Sequence, residues 1–167
     1  MAIDLSWITD ELAIGGALRR HGAARLAIDH GVGAVIDMRA EACDDAAVLA
    51  DQGIALLHVP TRDLCAVDAG ALRTGVAFAI EQLERNRTVL VHCQHGIGRS
   101  AIMGLSILVA RGHAPLSALE LAKQRRALVS PSPAQFAAWA RWLDACGHAA
   151  PSFDRLAAIA YRHLGAG

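Results

Sequence analysis

This 167-residue chain has no excess charge of either sign: 16 acidic side chains balance 16 basic ones. No bulk field therefore draws it to nucleic acid or to an anionic membrane surface. Lysine is nearly absent: Lys123 is the only one, and arginine carries the rest of the positive charge. The longest apolar stretch, Ala101 to Ala110, is too short to span a bilayer, so no integral membrane segment is expected. Met1 to Ser6 has neither the basic flank nor the apolar core of a secretory signal. The four cysteines, Cys43, Cys65, Cys93 and Cys146, form no Cys-x-x-Cys pair, and a reducing cytoplasm is the expected setting. The histidines show no paired helical spacing, and no Walker-type or dinucleotide glycine loop is present. Neither a metal nor another cofactor is expected. There is no internal repeat and no low-complexity linker.

What is present suits one packed unit. Hydrophobic residues make up 54% of the chain, ample for a core and too many for disorder. The length predicts a single domain over 1–167, with a C-terminal helical extension at about 148–167. Leu12-Ala13-Ile14 before Gly15-Gly16 reads as a short strand and turn. Ala23 to His30 reads as a helix stopped by Gly31, and Val32 to Met38 as a strand buried on both faces. Asp44-Asp45 begin a short helix ending at Gly53, and Ile54 to Val59 is a strand closed by Pro60. Asp68 caps a long helix with Leu72, Val76, Ile80 and Leu83 on one face, and Thr88 to His92 is the next strand. Beyond Ser100 the pattern is helical. Ser117 with Glu120 and Ser132 with Gln135 read as capping boxes, with Pro133 at the first helical position. Phe136, Trp139 and Leu143 line one helix face, and Phe153, Leu156, Ala160 and Leu164 a last one. Alternating strands and helices followed by helices predict an α/β fold. Its central sheet is mostly parallel and flanked by helices, with an all-helical C-terminal part.

The chemistry concentrates in His92-Cys93-Gln94-His95-Gly96-Ile97-Gly98-Arg99-Ser100, between an apolar strand and an apolar helix. A strand ending in Cys, a Gly-containing loop, an Arg and a helix start make an anion nest with a nucleophile at its centre. The helix adds its positive dipole end and unpaired N–H groups. Arg99 supplies a planar fork for two phosphate oxygens, and this field favours the Cys93 thiolate. A chance match to H-C-x-x-G-x-x-R-S is on the order of one in a million per start position.

This segment resembles the active-site loop of cysteine-dependent protein tyrosine phosphatases, specifically the small dual-specificity group. Weaker likenesses at Ile8 to Gly16, Gly31 to Glu41 and Val59 to Asp63 extend the resemblance over most of residues 6–112. It implies the dual-specificity phosphatase fold, which agrees with the pattern. It also implies phosphate monoester hydrolysis through a cysteinyl-phosphate intermediate. Cys93 is then the nucleophile, and Arg99 with the backbone N–H groups of Gln94, His95, Gly96, Ile97 and Gly98 binds the phosphate. His92 orders the loop and helps keep Cys93 ionised, and Ser100 donates a hydrogen bond to the sulfur. The acid comes from another loop, where Asp63 ranks ahead of Asp68, which is better explained as a helix cap. Glu41 resembles a position that braces the arginine, with a surface charge as the alternative. Gln135 resembles a water-positioning glutamine, but its capping box explains it without function. Lys123-Gln124-Arg125-Arg126 reads as a solvated helix face, with a second phosphate site as the minority reading. Cys43 and Cys65 read as ordinary residues, because the position where relatives place a protective second cysteine is Arg39 here.

The same resemblance implies a shallow pocket, since the chain has no sign of an added tyrosine-recognition loop. The expected partner is a phosphorylated protein, with phosphotyrosine and phosphoserine or phosphothreonine as substrates, or a small phosphate monoester. A lipid headgroup such as phosphatidylglycerophosphate is the alternative. The loop lacks the lysines that hold extra phosphates in lipid-directed relatives. A catalytically silent phosphate-binding module is a third reading, which binding alone would satisfy without thiolate or acid. No oligomeric interface is legible.

Overall fold

The computed structural model describes residues 2–19 and 21–164. Five strands form one sheet in the order β1-β2-β5-β3-β4: β1 Leu5–Trp7, β2 Leu12–Gly15, β3 Val32–Arg39, β4 Ala55–Thr61 and β5 Thr88–His92. β1 pairs antiparallel with β2, and the other pairings are parallel. The helices are α1 Gly22–His30, α2 Ala46–Ala50, α3 Ala69–Glu84, α4 Arg99–Ala110, α5 Pro115–Arg125, α6 Pro133–Ala145 and α7 Phe153–Ala160, followed by a 3-10 turn at Arg162–Leu164. The expected α/β fold with a mostly parallel sheet and a helical C-terminal part is the one observed.

Alternation along the central strands explains the layers. Leu12 and Ile14, Ala34, Ile36 and Met38, and Val89 and Val91 all enter one apolar cluster with α3 to α7. Ala13, Val35 and Leu90 enter a second cluster with Leu26 of α1 and Leu49 of α2. Both faces of β3 and β5 are therefore covered, as parallel strands require. α4 is buried from Arg99 to Val109, so it is the helix the others pack around. Ser106 lies within it with its hydroxyl paired twice, donating to the Ile102 carbonyl at 2.8 Å and accepting from Trp139 Nε1 at 3.1 Å.

Several local expectations change. β1 was not foreseen, because three half-buried residues carry too little alternation to register. β4 runs through Pro60 to Thr61; it is an edge strand, where a missing N–H costs no ladder bond. α5 starts at Pro115 with Ala114 as cap, so Ser117 and Glu120 lie inside the helix and form no capping box there. The Ser132–Gln135 box is complete, with both reciprocal bonds formed. The face buried on α3 is Leu72, Gly75, Ala79, Gln82 and Leu83, with Val76 and Ile80 on its margin. Leu164 lies outside α7 and is exposed. Lys123 and Arg126 are buried, not solvated, each only 4% exposed. Lys123 donates to the carbonyls of Ala127 and Val129 and meets His163 Nδ1, which closes the turn leading into α6.

β5 sits between β2 and β3, and its carboxyl end opens into residues 93–98 before α4 begins. Open parallel sheets bind ligands at that edge. Among the described residues no helix is long and apolar enough to cross a membrane.

Candidate active site

The loop's shape follows from where its carbonyls go. The Gln94 carbonyl accepts from Ala17 N at 3.1 Å, and those of His95 and Gly96 accept from the Arg126 guanidinium at 2.9 and 2.8 Å. The Ile97 carbonyl accepts from Ser130 N at 3.0 Å, and that of Gly98 from Ile102 N inside α4. With five successive carbonyls engaged by other partners, the N–H groups of His95, Gly96 and Ser100 are left to point at the sulfur of Cys93. Gly96 has φ +65°, and a Cβ there would lie 2.6 Å from the Gly15 carbonyl oxygen, so only glycine fits.

Cys93 is 3% exposed, at the bottom of this loop. Gly96 N donates to its sulfur at 3.3 Å, and the Ser100 hydroxyl lies 3.2 Å away. Burial pushes the thiol pKa up. The hydrogen bonds from the Ser100 hydroxyl and from the N–H groups of Ser100, His95 and Gly96 outweigh that, and the net direction is down.

Arg99 is 1% exposed and its fork is largely occupied. Nη1 and Nη2 each donate to one Glu41 oxygen at 2.8 Å, and Nη1 also donates to the Thr61 carbonyl at 2.9 Å. Glu41 is thus the brace on the arginine, and the guanidinium pulls its carboxyl from 4.5 to about 2. Nε is buried and has no acceptor among the described residues. Asp63, just past the end of β4, reaches Nη2 at 3.3 Å and is 60% exposed. Leu64 beside it has φ +60°, a conformation few non-glycine residues adopt. Asp68 accepts from Ala71 N and caps α3. The structure therefore brings Asp63, and not Asp68, to the guanidinium.

Gln135 does more than close its box. Its Oε1 accepts from Ser132 N at 2.8 Å, and its Nε2 donates to the Cys65 carbonyl at 3.2 Å. A Cβ on Gly98 would lie 2.5 Å from its Oε1. One buried amide thus ties the Asp63 segment and the phosphate loop to the start of α6.

Sequence reasoning missed two supports. Arg126 anchors two loop carbonyls while its other donors pair with Asp4 at 2.8 and 2.9 Å, holding that carboxyl below its ordinary range. An Arg125-Arg126 pair at a helix end gave no sign of burial. Asp44, taken as the start of a helix, instead contacts His92 Nε2 at 2.6 Å, while Asp45 makes the cap. The available signal was Asp37, a charged residue inside the buried run of β3. Cys43, Cys65 and Cys146 are exposed free thiols.

Beside the loop, with Gln94 at its edge, opens a cleft of about 930 Å³ with Arg19, His21, Arg25 and Arg39 in its walls.

A family model described as "Polymorphic toxin system, DSP-PTPase phosphatase" matches residues 19–113. The chain belongs to that family and is a cysteine-dependent phosphatase of the dual-specificity class. Its fold is similar to that of PTPMT1, with 25% identity, a TM-score of 0.78 and coverage of 86% of this chain and 96% of that one. PTPMT1 in complex with PI(5)P superposes at TM-score 0.77 with 24% identity, covering 84% of this chain and 94% of that one. Human DUSP28 superposes at TM-score 0.76 with 22% identity, covering 88% and 97%. No curated protein matches the chain.

The thiol's hydrogen bonds generate a prediction. Alkylation of Cys93 by iodoacetamide should follow a pH midpoint below that of an ordinary thiol. Ser100→Ala should move it up by about one unit, or roughly a tenfold slower reaction on the acidic side. Rates against pH, read by mass spectrometry of the Cys93 peptide, check this.

Proposed function

We propose that the protein hydrolyses phosphate monoesters through a cysteinyl-phosphate intermediate. The observation that carries this reading is a buried, acidified Cys93 whose sulfur meets the Ser100 hydroxyl and the N–H groups of His95, Gly96 and Ser100. In the first step the Cys93 thiolate attacks phosphorus and the P–O bond to the leaving group breaks. Asp63 gives its proton to the departing oxygen. The equatorial oxygens are held by the N–H groups of residues 94–98, by Arg99 Nε and by the Nη2 hydrogen that Asp63 now faces. In the second step water attacks phosphorus, Asp63 takes a water proton, and the P–S bond breaks. The sulfur departs as a thiolate, stabilised by Ser100 and the loop N–H groups. His92 orders the loop from behind.

Asp63 and the substrate phosphate compete for the same guanidinium hydrogen. Substrate entry therefore displaces the carboxylate from Arg99, which frees it for the leaving group.

Phosphotyrosine, phosphoserine and phosphothreonine of proteins are the leading substrates. Gln94 and His95 of the loop and Asp63 and Leu64 past the end of β4 are exposed, which supports access by long and short phosphorylated side chains alike. A second reading, a lipid headgroup or small-molecule phosphate, is supported by the cleft beside Gln94, whose walls carry Arg19, His21 and Arg25 together with Asp4. PTPMT1, solved in complex with PI(5)P, has the same fold. A cytoplasmic setting and a single domain over 1–167 complete the proposal. The test is a hydrolysis panel of phosphopeptides, phosphoinositides and phosphatidylglycerophosphate, with Cys93→Ser as the blank. Turnover of phosphopeptides by wild type alone supports the leading reading. Turnover confined to the lipids supports the second, and equal turnover by Cys93→Ser contradicts the mechanism.

The leaving group separates the two aspartates. Asp63→Asn should slow phosphoserine or alkyl phosphates on the order of a hundredfold, and an activated aryl phosphate much less, because a general acid matters most for poor leaving groups. It should also tighten vanadate binding, since a competitor for Arg99 is gone. Asp68→Asn should change neither, as Asn caps helices well. Steady-state kinetics on the two substrate types and vanadate titration check both expectations.

A further inference from the structure

The capping box at the start of α6 leaves donors over. Ser132 Oγ accepts from Gln135 N at 3.2 Å, and Gln135 Oε1 accepts from Ser132 N at 2.8 Å. The Ser132 hydroxyl hydrogen and the Gln135 amide hydrogens have no part in that cap. Both residues direct these donors at one target. Ser132 Oγ donates to the Leu64 carbonyl and Gln135 Nε2 to the Cys65 carbonyl, each at 3.2 Å. Gln135 is 2% exposed, so its amide has little water to turn to instead.

The target is the turn that carries Asp63. Cys65 N donates to the Arg62 carbonyl at 3.2 Å, which closes residues 62–65, and Leu64 N donates to Asp63 Oδ1 at 3.0 Å. Leu64 stands at the third position of this turn with φ +60°, where glycine or asparagine is the usual residue. Its side chain is 71% exposed, so burial does not hold it there. A backbone in such a conformation persists when contacts around it hold it. Among the described residues, the hydrogen bonds and ion pairs that reach the turn from elsewhere are Asp63 with Arg99 and the two from α6. Once Asp63 leaves Arg99 for the leaving group, the two from α6 are the ones that remain.

We infer that Ser132 and Gln135 are positioning residues for the acid: through the Leu64 and Cys65 carbonyls they hold the turn, so that the Asp63 carboxyl can swing off Arg99 while its backbone stays beside the phosphate loop. This rests on Asp63 being the proton donor. Gln135 also packs on Gly98, so one amide sets the spacing between the acid's turn and the loop that binds phosphate.

The test is a double-mutant cycle read on two leaving groups. Gln135→Glu keeps the capping box, since glutamate closes it as glutamine does, but its carboxylate cannot donate to the Cys65 carbonyl. Gln135→Met removes the donor without adding a charge. In each, kcat for phosphoserine should fall on the order of tenfold, and kcat for an activated aryl phosphate only about twofold. In an Asp63→Asn background neither substitution should slow phosphoserine further. A loss that is equal on the two substrates, that repeats in full on top of Asp63→Asn, or that is absent from both variants overturns the inference. A loss in only one variant does so too, because the added charge or the broken box, and not the missing donor, then causes it. Where the Gln135 variants do not fold, Ser132→Asp decides by the same cycle: aspartate caps helices well, and its carboxylate cannot donate to the Leu64 carbonyl. Failure of the acid reading shows separately, as Asp63→Asn turning over phosphoserine like wild type.

Discussion

A thiolate at 3% exposure has lost most of its water, and burial by itself works against the charge. The loop replaces that water with peptide N–H groups, and they face inward because their carbonyls are anchored outside. The anchors come from distant parts of the chain: Ala17 after β2, Arg126 at the end of α5, and Ser130 before α6. Arg126 is held in turn by Asp4 beside β1, and Lys123 fixes the turn that presents Ser130. The helical C-terminal part thus serves the site directly. It sets the backbone orientation on which the acidity of Cys93 depends.

Arg99 shows the same economy of donors. Glu41 and the end of β4 occupy one edge of the guanidinium, so the part left for an anion is Nε and the Nη2 hydrogen facing Asp63. Under the proposed mechanism the acid and the substrate cannot hold that hydrogen together. Loading the site and arming the acid then become one event. Gln135 limits how far the Asp63 segment can travel, because its amide is bonded to the Cys65 carbonyl and packed on Gly98.

Much of this was legible in the sequence where the signal was local. The motif from His92 to Ser100 carries its own strand, loop and helix start. The β3 and β5 strands carry unbroken apolar runs, and Ser132-Pro133 with Gln135 announces α6. The capping role of Asp68 at the start of α3 was legible too. The supports were not legible, because they depend on tertiary pairing. Arg126 looks like any basic residue at a helix end until Asp4, more than a hundred positions earlier, is seen beside it. Asp44 stands next to the true cap, Asp45, and only the end of β5 shows which of the two turns inward. β1 and the extension of β4 through Pro60 were hidden because edge strands escape the pattern that burial imposes on central ones.

The claim on which the rest stands is that Cys93 takes the phosphoryl group. Rapid acid quench during turnover of an activated aryl phosphate, followed by peptide mass spectrometry, tests it directly. The account predicts a phosphate on the Cys93 peptide, formed in a burst with one equivalent of phenol and decaying at the turnover rate. A burst with the phosphate on another side chain would contradict it, as would steady turnover with no covalent species at any quench time.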